Sequence, residues 1–191
     1  MCAAICPSSA IQMQADSHGF LHPVVDAGEC TDCGLCARKC SVSTPPQVSA
    51  HTDVLTGYAK DGTLLPRSSS GAIFPVLAAE IIRRGGLVFG AAFDGQFHVI
   101  HTAAESVEEL SALCSSKYVQ GRIPSDCYAQ VKAALVAGRW VYFSGMPCQV
   151  AALKSYLGRD CETLITQDTA CHSVPSPLVW DEYKAELEKQ Y

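Results

Sequence analysis

Six of the eleven cysteines fall within the first 40 residues. Four follow the run Cys30-x-x-Cys33-x-x-Cys36-x-x-x-Cys40, and Cys2 and Cys6 lie upstream, with Pro7 directly after Cys6. Such crowding argues against a disulfide framework, which belongs mainly to short secreted domains, and for metal ligation. Thiolates are soft ligands, and three of them at steps of three residues curl around one corner of a cubane 4Fe-4S cluster. Zinc is the alternative, but zinc sites favour two well-separated Cys-x-x-Cys knuckles or include histidine.

In the bacterial two-cluster pattern the fourth cysteine of each half serves the other cluster. On that pattern Cys30, Cys33 and Cys36 hold one cluster and Cys6 completes it. Cys2 and Cys40 are left for a second cluster, whose other two ligands belong before Met1. Either the chain is clipped at its N-terminus or it holds one cluster, and the placing of Cys2 and Cys40 favours clipping. Gly34 suits a close backbone approach to cluster sulfur. Ser41 stands where the pattern usually carries Pro.

Four further segments carry groups able to do chemistry. Ser68 to Gly71 precede an expected helix, where hydroxyls and free N–H groups cradle an anion such as a pyrophosphate; a plain serine N-cap reads equally from these residues. Lys117 can pair with a phosphate and Tyr118 can stack on an aromatic ring; the alternative is a surface lysine and a core tyrosine. Pro147-Cys148-Gln149 sits where a strand turns into a helix, the ligand-binding edge of an α/β sheet. There Cys148 serves as a cluster ligand, proton donor or redox thiol, or simply as a small packing residue. His172, after Cys171 and just past a strand, can move a proton, or is a structural histidine. Cys114, Cys127 and Cys161 read as core thiols. His18, His22, His51, His98 and His101 carry no motif, and the last two read as partly exposed beside a strand.

These groups need elements to place them. Hydrophobic residues make up 48% and charged residues 17% of the 191 residues, which marks a folded globular chain. No basic cluster points to nucleic acid. No run reaches the ~18 apolar residues of a membrane span, and no secretory pattern opens the chain, so a cytoplasmic location is expected. Ala10 to Met13 and Phe20 to Val25 flank Asp16-Ser17-His18-Gly19 as a small hairpin. Ile73 to Arg84 has helical spacing and stops at Gly85-Gly86. Leu87 to Phe93 is a buried strand, Asp94-Gly95 a hairpin turn, and Phe97 to His101 the return strand. Helices are expected over 106–113, 125–137, 149–156 and 177–191, and strands over 140–143 and 163–166. The chain thus divides into a cysteine module at 1–46, a connection at 47–66 and an α/β layer domain at 67–191, an α+β protein as a whole.

Four stretches taken together carry a family resemblance: Ser68-Ser69-Ser70-Gly71-Ala72-Ile73-Phe74, Ser116-Lys117-Tyr118-Val119-Gln120, Phe143-Ser144-Gly145-Met146-Pro147-Cys148-Gln149, and Cys171-His172-Ser173-Val174-Pro175-Ser176. In this order they resemble the coenzyme F-420 hydrogenase/dehydrogenase beta-subunit family, over nearly the whole chain. The resemblance implies a ferredoxin-type module fused to an FAD-binding α/β domain, with Ser69, Ser70, Gly71, Lys117, Tyr118, Pro147, Cys148 and Gln149 near the flavin and Cys148 and His172 as candidate catalytic groups. It implies an oxidoreductase that exchanges electrons with a small-molecule hydride carrier, coenzyme F-420 or similar, and with another redox subunit or ferredoxin. The alternative is a non-enzymatic electron-transfer subunit whose α/β part docks a partner. The family pattern continues past the last expected helix, so the chain is expected to be clipped there too. Ala72 replaces a glycine of the family pattern, Ser173 replaces another, and Met146 stands where Thr is common.

Overall fold

The computed structural model describes residues 1–45 and 52–191. The expected module boundary at 46–47, and His51, lie outside the described residues.

The N-terminal part is built from local signals. A single helical turn, α1 (Cys2–Ile5), leads into the hairpin β1 (Ile11–Ala15) and β2 (Leu21–Val25). The strands pair antiparallel from Ile11 opposite Val25 to Ala15 opposite Leu21. Asp16 makes the turn: its Oδ1 accepts the N–H groups of His18 and Phe20 at 2.9 and 3.0 Å, and Gly19 takes φ +84°. A second helical turn, α2 (Leu35–Arg38), follows Gly34, which is left-handed at φ +66°. Beyond Ile11 neither strand buries a residue, so hydrophobic burial does little to hold this part together.

The rest is layered. Helix α3 (Ile73–Arg83) precedes β3 (Leu87–Phe93) and β4 (Val99–Ala104). Then come the single turn α4 (Leu110–Leu113), α5 (Cys127–Val136), β5 (Val141–Gly145), α6 (Pro147–Leu157), β6 (Leu164–Asp168) and α7 (Pro177–Gln190). The sheet order is β4-β3-β5-β6, with β4 antiparallel and the others parallel. Strand alternation sends Leu87, Phe89, Val141 and Phe143 to one face, under α5 and α6. Val88, Ala92, Ala104 and Tyr142 go to the other, under α3 and α4. Gly86 allows the entry to β3, since a Cβ there would sit 2.5 Å from the Trp140 carbonyl oxygen. The α+β expectation therefore holds. Among the described residues no helix is long and apolar enough to cross a membrane.

Two local expectations are corrected. The turn after β3 spans Asp94 to His98, because the Asp94 carboxylate accepts the N–H groups of Gln96 and His98 at 2.9 and 2.8 Å. The return strand therefore starts at Val99 and runs on to Ala104. The helix expected over 106–113 shrinks to α4. Ser106 and Glu109 bond each other's backbone N–H, and the next N–H groups reach back only three residues, so the segment winds as tight turns.

The two parts touch directly. Met1 and Ala4 pack against the α5–α6 core, and the Ser155 hydroxyl on α6 donates to the Lys39 carbonyl at 2.6 Å. Gly19 at the hairpin tip abuts the start of α7, where an added Cβ would meet the Leu178 nitrogen at 3.0 Å.

Candidate functional site

The cysteine run is curled by backbone conformation. Asp26 N–H bonds the Ala10 carbonyl and Cys30 N–H bonds the Asp26 carbonyl, which ties the entry of the run to the hairpin. Asp32 and Gly34 both take left-handed conformations, φ 55° and 66°, on either side of Cys33. The Arg38 guanidinium reaches back from α2 to the Cys33 carbonyl at 2.9 Å and holds the curl. Cys30 and Cys33 are exposed, while Cys36, Cys40, Cys2 and Cys6 are partly buried. Helix α1, which carries Cys2 and leads into Cys6, lies against α2.

Two of these thiols are surrounded by donors. The Ser8 hydroxyl, 3.6 Å from Cys6 Sγ, lowers the Cys6 pKa from its ordinary value, helped by the N–H groups of Ala10, Ser8 and Ser9. The N–H groups of Ser43 and Val42 and the Ser43 hydroxyl do the same for Cys40. Hydrogen bonds to sulfur are also what tune a cluster's potential. Among the described residues no three Cys, His, Asp or Glu side chains converge closely enough to hold a metal ion. A cubane takes one thiolate on each of its irons, and that donor chemistry suits a curled all-thiol run.

The second group of candidates lies beyond the carboxyl ends of the parallel strands, where α3 and α6 also begin. Here residues 47 apart in sequence meet. The Ser69 hydroxyl oxygen accepts the Ser116 N–H at 2.8 Å and the Ser116 hydroxyl at 2.8 Å. Ser115 Oγ donates to the Arg67 carbonyl. The chain then twists through Ser70 and Ala72, both left-handed at φ 53° and 57°. The serines do not cap α3: its N-cap is Ala72, without a side-chain cap, so the first helical N–H groups stay available. Ser68 Oγ is buried and, among the described residues, has only the weak Cys114 thiol beside it. An orphaned hydroxyl beside an open helix start fits an anionic group.

Lys117 is placed differently from either expectation. Its ammonium donates to the carbonyls of Ala112, Cys114 and Ser115 at 2.9, 2.7 and 3.2 Å, closing the end of α4. Burial lowers its pKa. Tyr118 is 81% exposed, not a core residue, and its ring is free to stack on a ligand. Cys114 and Cys161 are only partly buried, and Cys127 alone of the three is core; burial pushes its pKa up to about 12.

At the β5–α6 turn, Gln149 Oε1 accepts the Met146 N–H at 2.8 Å and its amide nitrogen donates to the Gly121 carbonyl at 3.4 Å. Gln149 thus ties Pro147-Cys148 to the segment around Gly121 and leaves the Cys148 thiol exposed. Cys171 and His172 are also exposed, in the segment after β6. Among the described residues no hydrogen bond joins them to Cys148. Among the described residues, the side-chain tie between the two segments runs from the Thr169 hydroxyl to Met146 sulfur at 3.7 Å.

His101, expected to be partly exposed, is 3% exposed and stacks on Phe143. Its Nε2 donates to the Ser144 carbonyl at 3.0 Å, directly behind the β5–α6 turn, while Nδ1 has no partner among the described residues. Its alternation with buried Val99 could have revealed this. Burial lowers its pKa below the ordinary 6.5. The unfolded chain therefore takes up a proton at this residue before the folded one does, and stability falls as pH drops below about 6.5 toward the depressed folded value. Urea midpoints measured from pH 8 to pH 5 should decline more steeply for the parent than for His101→Gln. This residue's share of the slope has a ceiling of about 1.4 kcal/mol per pH unit. Parallel curves for the two proteins would remove the assignment.

Comparison with known proteins bears on both parts. Residues 1–44 match the family of 4Fe-4S dicluster domains. No curated protein matches the chain. Among solved structures, the fold is similar to a chain of the F420-reducing NiFe hydrogenase complex from Methanosarcina barkeri, studied by xenon derivatization. The TM-score is 0.52 and the identity 19%, over 65% of this chain and 46% of that one. The present chain thus spans less than half of that chain's length, and at this identity the likeness is one of fold. The chain is an α+β protein that carries, at its N-terminus, an iron-sulfur domain of the 4Fe-4S dicluster type.

Proposed function

We propose that this chain passes electrons between a small-molecule hydride carrier and 4Fe-4S clusters, through FAD held at the carboxyl edge of its sheet. Residues 1–46 form the cluster module and residues 67–191 the flavin domain, joined by 47–66. Cys30, Cys33, Cys36 and Cys6 hold one cluster; Cys2 and Cys40 serve a second.

The observation that carries the flavin reading is the joining of Ser69 to Ser116 beside the uncapped start of α3. That junction offers hydroxyls and main-chain N–H groups to a pyrophosphate. Ser69, Ser70 and Gly71 bind it, and Tyr118 offers its ring. Lys117 shapes the loop by holding three carbonyls, and Gln149 orients Pro147 and Cys148 toward the same edge. Cys148 and His172 are the exposed groups suited to deliver or remove a proton there. A bound flavin accepts electrons in pairs and releases them singly, which lets hydride chemistry meet one-electron clusters. Coenzyme F-420 or a related carrier is the proposed donor or acceptor, supported by the fold shared with a chain of an F420-reducing hydrogenase complex. A redox subunit or ferredoxin is the proposed protein partner.

The test is flavin and iron content. Protein purified without oxygen and then acid-denatured should release FAD together with iron and sulfide. Iron and sulfide without FAD would leave an electron-transfer subunit whose α/β layer docks a partner.

A further inference from the structure

A cleft of about 280 Å³ opens where the hairpin tip, the start of β4, the segment before α5 and the first turn of α7 meet. It shares no residue with the cluster run or with the Ser68–Ala72 loop. Its floor is apolar, formed by Leu21, Val99 and Val119. One wall is the Trp180 indole. That ring is fixed, since Nε1 donates to the Phe97 carbonyl at 2.8 Å and the ring stacks on Phe93 at a 20° interplanar angle.

The polar group at the mouth is Arg122. Its backbone is clamped to β4 on both sides, Arg122 N–H to the Val99 carbonyl at 2.8 Å and His101 N–H to the Arg122 carbonyl at 2.9 Å. Its side chain is exposed, and among the described residues no hydrogen bond or ion pair engages its guanidinium. The cleft's one carboxylate, Asp181, is held by Lys184 at 2.9 Å and faces His98 at 3.4 Å, so it does not neutralise Arg122. Apolar floor, rigid aromatic wall and one planar cation whose backbone is clamped to β4 are the make-up of a small-ligand site between modules.

We infer that this cleft binds a small planar anion: an aromatic or heteroaromatic ring bearing a carboxylate or phosphate, with the ring on Trp180 and the anion in the fork of Arg122. The volume suits one or two rings and is too small for a dinucleotide. The inference does not depend on flavin being bound elsewhere.

Nicotinate is the probe for ring plus charge, nicotinamide for the ring alone and inorganic phosphate for charge alone. The chain has two tryptophans, so the indole N–H resonance of Trp180 is assigned by difference with Trp180→Phe. Titrating the cluster-loaded protein, nicotinate should shift that resonance saturably, and nicotinamide and phosphate should each bind more weakly. Arg122→Gln should weaken nicotinate about tenfold or more, the loss of one charge-assisted pair. Arg122→Lys, which keeps the charge but not the fork, should fall between. Cluster absorbance and an unmoved Trp140 resonance verify that each variant is folded. The assignment is overturned by nicotinamide binding as tightly as nicotinate, by unchanged affinity in Arg122→Gln, or by the absence of any saturable shift.

Discussion

Cys33→Ser will strip the protein of its first cluster. Cys33 is the middle thiol of the curl, between left-handed Asp32 and Gly34, with its carbonyl pinned by Arg38. A serine keeps the side chain's size but removes the soft donor, leaving one iron of the cluster without its ligand and the cluster unstable. Iron and sulfide bound after anaerobic reconstitution should fall by the content of one cluster. The loss should spread beyond the metal. The hairpin strands beyond Ile11 bury nothing, so cluster ligation is the main tie of this part, and ligation energy is folding energy in such modules. Backbone amides of β1 and β2 should then exchange nearly freely with solvent. Cys6→Ser should match Cys33→Ser, and Cys40→Ser should spare this cluster. Cys114→Ser and Cys161→Ser, remote in sequence from the run, should leave iron content unchanged. Full retention of the cluster in Cys6→Ser would send its fourth ligand elsewhere, with Cys40 the first candidate.

Gly71→Ala should cripple the loop proposed to hold the flavin. A Cβ at Gly71 would stand 2.5 Å from the Gly57 carbonyl oxygen and 3.1 Å from Tyr58 Cα, both backbone atoms that cannot swing aside. The Gly71 carbonyl also accepts the Ala59 N–H at 2.8 Å, so the two strands of chain cannot part without losing that bond. Overpacking of this kind costs about 1–3 kcal/mol. Because the shift falls on Ser69 to Ala72, retained FAD should drop by about tenfold or more, the effect of losing a well-made anion contact. Gly57→Ala is the matched control: its Cβ meets nothing within 4 Å among the described residues, and stability should change by less than about 0.5 kcal/mol. Stability measured by denaturant midpoint and flavin measured by release separate the two effects. A Gly71→Ala protein that is destabilised yet keeps full FAD would move the flavin away from this loop.

Much of this architecture is legible in order of residues because it is locally encoded. Asp16 to Gly19 contain the whole turn of the hairpin: a carboxylate that accepts nearby N–H groups and a glycine for the positive φ. Gly85 and Gly86 end α3 within a residue of the expected stop, and the apolar run Leu87 to Phe93 is β3 with the expected bounds. The all-thiol spacing of Cys30, Cys33 and Cys36 announces an iron-sulfur site without any knowledge of the fold, and the 4Fe-4S dicluster domain match over residues 1–44 agrees.

Where side chains compete with backbone signals, the local pattern misleads. Asp94-Gly95 has the composition of a two-residue turn, yet the Asp94 carboxylate reaches Gln96 and His98 and lengthens it. Ser106 and Glu109 satisfy each other's N–H groups and confine the helix to one turn.

By itself the sequence determined the chemistry of the donor set, the alternation of strands and helices, and which residue types stand at the carboxyl edge of the sheet. Only the tertiary structure decided what those residues do with their hydrogen bonds. Ser69 finds Ser116, and His101 is sealed behind Ser144. Arg122 and Trp180 come to share one cleft. Ligand spacing and strand periodicity repeat over a few residues and so are written in the chain, whereas a hydrogen bond or cleft wall formed across 40 or more residues exists only once the layers have packed.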